Sequence, residues 1–140
     1  MEYDPENIFA KILREEIPSV RVYEDDETLV FMDIMPRADG HCLVIPKTPC
    51  RNLLDADPEQ LSAVMRTTQK LSHAVMDAFG ATGVTIQQFN EADGGQEVFH
   101  LHLHILPRHG GQSMRPPGKM ADMDVIKGHA ARIRAALSGD

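Results

Sequence analysis

The chain has 140 residues, 42% of them hydrophobic and 25% charged, which is ordinary for a soluble globular protein with one core. Lys and Arg total 14 against 21 acidic residues, and this net charge of −7 argues against binding of polymeric DNA or RNA. The sequence has no membrane-spanning apolar run and no secretory signal, so we expect a cytoplasmic protein, and its two cysteines, Cys42 and Cys50, indicate no disulfide framework.

The N-terminal third predicts a short helix followed by strands. Asp4 and Pro5 are typical of a helix start, and apolar residues at helical spacing extend this helix to about Glu15. Apolar segments separated by turn residues then predict three strands, at residues 20–23, 28–32 and 41–46.

The middle of the chain predicts a long amphipathic helix and two further strands. Asp57, with Gln60 three positions later, indicates a capping box, and Gly80 is placed to end the helix. The remaining predicted elements are strands at 84–89 and 98–106, a glycine-bearing turn at 90–95, an extended loop after Arg108 and a helix at 122–137.

Histidine alternates with aliphatic residues in the fifth predicted strand. Successive side chains of a strand point to opposite faces, so His100, His102 and His104 should share one face. The aliphatic residues between them should face the core, and Pro107 should end the strand because it has no N–H to donate. A row of imidazoles can hold an anion, move a proton or attack phosphorus.

The order of elements predicts an α+β fold. Short connections between strands favour a five-stranded antiparallel meander with helices on one face. We expect a single domain over residues 1–140, with a core at about 4–108 and a variable C-terminal loop and helix at 109–140.

The histidine pattern, preceded by Gly94-Gly95-Gln96, resembles the signature of the histidine triad (HIT) superfamily. The run from Asn90 to Gln96 is similar to the HINT-like nucleotide-binding branch, and the resemblance extends from about Asn7 to Arg108. It implies the HIT-like fold: the antiparallel sheet, a short N-terminal helix, a long helix and a C-terminal helical tail.

The resemblance also implies a role for each histidine. His102 would attack the α-phosphate and form a nucleotidyl-histidine, while His100 and His104 would flank it and bind phosphate oxygens. His41 matches a fourth active-site histidine with a supporting role, and Asp33 would accept hydrogen bonds from both ribose hydroxyls.

The remaining expected contacts surround the base and the phosphate. The apolar slot for the base would comprise Phe9, Ile12, Met32 and Ile34, and the residues near the phosphate would be Asn90, Gly95, Gln96, Glu97 and Val98. The branch commonly has serine where this chain has Glu97, and a carboxylate there favours release of an amine over an anionic leaving group.

The function that this resemblance implies is hydrolysis of purine nucleoside phosphoramidates by a homodimer without a cofactor. A dinucleoside polyphosphate hydrolase and a non-catalytic nucleotide-binding or scaffold protein remain alternatives. Histidines at alternate strand positions could also ligate a metal. Some HIT relatives bind structural zinc at positions that correspond here to Asn7, Ala10 and Pro49, and these residues disfavour zinc.

Overall fold

The computed structural model describes residues 2–139 and has the predicted α+β architecture. The helices are α1 (Ile8–Leu13), α2 (Pro58–Phe79) and α3 (Met123–Ser138). The strands are β1 (Arg21–Glu24), β2 (Thr28–Met32), β3 (Cys42–Pro46), β4 (Gly83–Gln87) and β5 (Leu103–Arg108), and a 3-10 turn (Ala92–Gly94) separates the last two. The limits of every element except α1 and β5 lie within two residues of the predicted ones.

The five strands form one antiparallel sheet in the order β1-β2-β3-β5-β4. The sheet is therefore not the simple meander that the sequence suggested, because α2 carries the chain past β3 to the far edge before β5 fills the gap. This order places β5 directly beside β3, so that the histidine segment lies next to the start of β3.

The helices cover both faces of the sheet, which corrects the prediction that they share one face. Val30 and Val44 lie in a core with residues of α2 and α3, whereas Phe31 and Leu43 alternate with them and pack against Phe9 of α1. Strands β2 and β3 are buried at every position, as expected for strands covered on both sides.

The ordered ladder of β5 begins at Leu103, later than predicted, and continues through Pro107. Pro107 pairs only with Val84 of β4, since β3 pairs no further than Ile105, and a proline is tolerated at such a position. The segment before Leu103 pairs with no strand, and the amide of Leu101 instead donates to the carbonyl of Cys50. His104 alone of the triad therefore lies in a regular strand.

Helix α1 begins at Ile8, not next to Pro5 as predicted. Asn7 is its N-cap and accepts a hydrogen bond from the amide of Ala10, 2.9 Å away. The Asp4 carboxylate is used instead in a turn, where it accepts from the amide of Glu6.

The ends of α2 match the prediction. Asp57 and Gln60 form a reciprocal capping box, and Gly80 ends the helix with φ +59°, in the left-handed region that glycine favours. No helix within residues 2–139 is long and apolar enough to span a membrane.

Candidate active site

A cavity of about 490 Å³ opens on the α1 face of the sheet. Most of the residues predicted for the site line it: Phe9, Ile12, Met32, Asp33, Ile34, His41, Gly95, Glu97, Val98, His102 and His104. Three predicted residues, His100, Asn90 and Gln96, are not part of its wall. The structure therefore brings eleven of the predicted residues together around one cavity and places the other three elsewhere.

His102 lines the cavity as a neutral imidazole with a free nitrogen lone pair. Its Nδ1 lies 2.7 Å from the carbonyl oxygen of His100. Because a carbonyl can only accept, Nδ1 carries the ring proton and Nε2 does not. Burial lowers the pKa of His102, and the ring of Phe9 packs edge-on against it at 4.8 Å. Only 8% of His102 is exposed, so the ring is largely shielded from bulk water.

His104 and His41 form a directed hydrogen-bond chain. The backbone N–H of Arg37 donates to Nδ1 of His41 over 3.0 Å, which leaves the ring proton of neutral His41 on Nε2. That Nε2 lies 2.9 Å from Nδ1 of His104, which must accept, so His104 carries its own proton on Nε2. Burial is the main cause that lowers the pKa of His41 to about 4 and that of His104 to about 3. Both rings are therefore neutral in the free protein.

His100 supports the site from behind. Its Nε2–H donates to the carbonyl of Pro46 over 2.9 Å, and its Nδ1 accepts from the hydroxyl of Tyr3 at 2.7 Å. The residue is fully buried, so both ring nitrogens are occupied away from the cavity. The contribution of His100 to the cavity is its carbonyl, which fixes the tautomer of His102.

Asp33 lies at the end of β2 on the cavity wall. One carboxylate oxygen accepts from the amide of Met35 at 2.8 Å, and the other is 3.5 Å from Nε2 of His41. Burial raises the pKa of Asp33 above its usual value. The second oxygen remains available to hydroxyl groups of a bound ligand.

Asp33, His41 and His104 also place potential metal-ligand atoms within 4.8 Å of one another. A metal ion would require an unprotonated Nε2 on His41, but the amide of Arg37 holds the ring proton there. If the proton of His41 moved to Nδ1, this N–H would point at the backbone N–H of Arg37. The hydrogen bond from Arg37 therefore disfavours a metal ion on Nε2 of His41.

The turn after β4 divides into cavity residues and structural residues. Gly95, Glu97 and Val98 line the cavity, and the amides of Glu97 and Val98 have no acceptor within residues 2–139. The Asn90 side chain instead accepts from the amide of Leu53, at 2.9 Å. Gln96 is buried, and all of its side-chain hydrogen bonds lie inside the protein.

Several residues of the site were not predicted. Arg37 acts through its backbone amide, which no residue type reveals, and Phe89 packs edge-on against His104 with centroids 6.0 Å apart. Pro117 and Gly118 of the C-terminal loop line the cavity. Arg115 holds this loop in place, since its amide and carbonyl bind the carbonyl and guanidinium of Arg37, each at 2.8 Å.

A five-stranded antiparallel sheet with hydrogen-bonded histidines beside its central strand, β3, defines a class of protein. The family model of the HIT domain matches residues 14–111. The chain belongs to the histidine triad (HIT) family.

Individual relatives cover much of the chain. The crystal structure of a Hit-like protein involved in cell-cycle regulation from Bartonella henselae matches with a TM-score of 0.94 and 54% identity, over 97% of this chain and 99% of that chain. Purine nucleoside phosphoramidase of Escherichia coli (strain K12) is 39% identical over 114 residues, which are 79% of this chain and 92% of that protein. Adenylylsulfatase HINT3 of Arabidopsis thaliana is 37% identical over 101 residues, 72% of this chain but 51% of that longer protein.

Proposed function

We propose that this protein is a nucleotide hydrolase that cleaves purine nucleoside phosphoramidates at the α-phosphate through a covalent intermediate on His102. The observation that carries the proposal is the tautomer of His102. Its Nδ1–H is bound to the carbonyl of His100, which leaves the lone pair of Nε2 for attack on phosphorus.

The reaction would proceed by two displacements at phosphorus. The lone pair of His102 forms an N–P bond, and the bond between phosphorus and the amine breaks with its electron pair leaving on the amine. The Nε2–H of neutral His104 would donate a hydrogen bond to a phosphate oxygen, and the departing amine takes its proton from solvent. Water then attacks the nucleotidyl-histidine, the N–P bond breaks with its electron pair returning to Nε2 of His102, and the proton that the water loses goes to solvent.

Two parts of the cavity would recognise the nucleoside. Asp33 offers a carboxylate oxygen to the ribose hydroxyls. Apolar side chains beside it would hold the base by contact and exclusion of water, among them Phe9, Ile12, Met32 and Ile34. The amides of Glu97 and Val98 would bind phosphate oxygens.

The charge of Glu97 supports an amine as the leaving group. This exposed carboxylate lines the cavity, where it would repel a departing sulfate, pyrophosphate or second nucleotide and attract an amine. The chemistry named for the phosphoramidase of Escherichia coli fits this charge better than that named for the adenylylsulfatase. Dinucleoside polyphosphate hydrolysis is disfavoured for the same reason.

Mass spectrometry of the acid-quenched reaction tests the proposal. Adenosine phosphoramidate should leave an adenylyl group on the peptide that contains His102, and turnover should exceed that on diadenosine polyphosphate or adenylylsulfate. His102→Ala should lower kcat on the order of 10⁴-fold or more while AMP still binds. Turnover that survives this substitution would exclude the covalent route, and a wild-type protein that binds AMP without turnover would be the non-catalytic alternative.

We further propose that the protein is a homodimer. The edge strand β4 exposes Ile86, which is 41% accessible, and α2 exposes Met65, which is 54% accessible. Burial of these side chains against a second copy would remove apolar surface from water. Light scattering at micromolar concentration should give twice the mass of the chain, and a monomeric mass would refute the proposal.

A further inference from the structure

Glu91 has an unusual backbone conformation immediately before the cavity-lining turn. Its φ is +65° and its ψ is 163°, a region that glycine adopts and other residues almost never do. Glu15 is the other non-glycine residue of 2–139 with positive φ, and it simply follows the end of α1. A strained residue persists only where its surroundings hold it, so the contacts of Glu91 indicate what the strain serves.

The Glu91 carboxylate is held by residues from another loop. Arg51 binds both of its oxygens, with Nε at 2.7 Å from one and Nη2 at 2.8 Å from the other. The amide of the buried Asn52 side chain donates to the same carboxylate at 2.6 Å. These contacts tie the start of the turn to the segment that follows β3.

The far end of the same turn is tied to the same segment. Gln96 accepts from the Glu91 amide at 2.8 Å and from Asn52 at 3.0 Å, and it donates to the carbonyls of Arg51 and Val98. The carbonyl of Glu91 accepts from the amide of Gln96 at 3.0 Å. The conformation of Glu91 and the placement of Val98 are therefore set by one hydrogen-bonded unit.

Arg51 connects this unit to the histidine segment. Its guanidinium lies over the ring of Phe99 at 4.2 Å, and its Nη1 donates to the carbonyl of Glu2. Phe99 precedes His100, whose carbonyl fixes the tautomer of His102. Displacement of Arg51 would thus change the position of His102 as well as the conformation of the turn.

We propose that Glu91 is a positioning residue, whose carboxylate holds the turn in its strained form so that the backbone of Glu97 and Val98 faces a phosphate at His102. The inference rests on the proposed function, because it takes the phosphate of a nucleotide as the ligand of the turn. Glu91 does not touch the ligand and acts through the turn. Loss of the Glu91 carboxylate should weaken the binding of phosphate and leave the binding sites for base and ribose unchanged.

Calorimetric titration with AMP and with adenosine separates these effects. Glu91→Ala keeps a non-glycine residue at the strained backbone position but removes the carboxylate that Arg51 and Asn52 bind. AMP affinity should therefore fall about tenfold, which corresponds to roughly one phosphate hydrogen bond. Adenosine affinity should fall by less than twofold. Glu24→Ala is the matched control, since Glu24 is also bound by cations, Arg21 and Lys47, but lies in β1 away from the cavity. It should leave both affinities unchanged.

Glu91→Gly separates backbone strain from the anchor. Glycine adopts the native φ and ψ without strain, so this variant should unfold at a higher denaturant concentration than Glu91→Ala while its ratio of AMP to adenosine affinity still falls. A ratio equal to that of the wild type in both variants, or equal losses for AMP and adenosine, would overturn the inference. Failure of the wild-type protein to bind either ligand would instead refute the proposed function, and the inference with it.

Discussion

Acidification should destabilise this protein in part through His100, and the structure gives the size of the effect. The ring is fully buried, donates from Nε2 to the carbonyl of Pro46 and accepts at Nδ1 from Tyr3. Burial lowers its pKa from 6.5 to about 4. The folded protein therefore keeps the neutral ring over a pH range in which the unfolded chain protonates it.

The sign and size follow from proton linkage. Between pH 6.5 and about 4 the unfolded state binds more protons at His100 than the folded state does, so the free energy of unfolding decreases as the pH falls. The difference between 6.5 and about 4, at roughly 1.4 kcal/mol per pKa unit, amounts to about 3 kcal/mol. This stability is fully present above pH 6.5 and is lost by about pH 4.

Urea denaturation of the wild type and of His100→Gln across that range measures the effect. Glutamine can still donate to the carbonyl of Pro46 but does not titrate, so the variant should be less sensitive to acid by about 3 kcal/mol. His41 and His104 titrate in both proteins and cancel in the comparison. His73→Gln, which replaces an exposed histidine of α2, controls for loss of a histidine as such. Parallel stability curves for the wild type and His100→Gln would refute the reasoning.

Three further predictions follow from individual contacts. Tyr3→Phe leaves buried Nδ1 of His100 without a donor and should cost roughly 1–3 kcal/mol, or about 2–4 °C in Tm per kcal/mol, by scanning calorimetry; an unchanged Tm would contradict this contact. Gly40→Ala would place a Cβ 2.4 Å from Cε2 of Phe79 at φ +86°, and urea denaturation should show a loss on the order of 2 kcal/mol, whereas wild-type stability would show that the loop relaxes freely. Asp33→Ala should weaken AMP binding about tenfold in calorimetric titration, while an analogue without ribose hydroxyls should bind wild type and variant alike; equal losses for both ligands would argue against ribose recognition.

The sequence predicted the fold where local patterns determine it. Asp57 and Gln60 define the start of α2 by side-chain chemistry alone, and the capping box forms as expected. The start of β5 could not be predicted in this way. The alternation of His and Leu does not reveal that the backbone amide of Leu101 donates a hydrogen bond to the carbonyl of Cys50 in place of a neighbouring strand. The sheet order likewise depends on where α2 delivers the chain.

Most of the residues that the sequence predicts for the site line one cavity, but several of their contacts differ from the expected ones. Histidine spacing identified His102 and His104, yet His100 faces Tyr3 and Pro46 because its segment leaves the regular strand before the ladder begins. The tautomer of His41 depends on the backbone amide of Arg37, a group that every residue except proline carries. Such roles become visible only with coordinates.

The C-terminal loop has a consequence for comparison within the family. The recognised domain ends at residue 111, yet Pro117 and Gly118 complete the cavity wall, and Arg115 fastens them to Arg37. A chain shortened at the domain limit would keep His41, His100, His102 and His104 and still offer its ligand a different enclosure. Relatives with the same signature and unlike tails should therefore differ in which molecules they accept, and selectivity measured on shortened chains should not be transferred to intact ones.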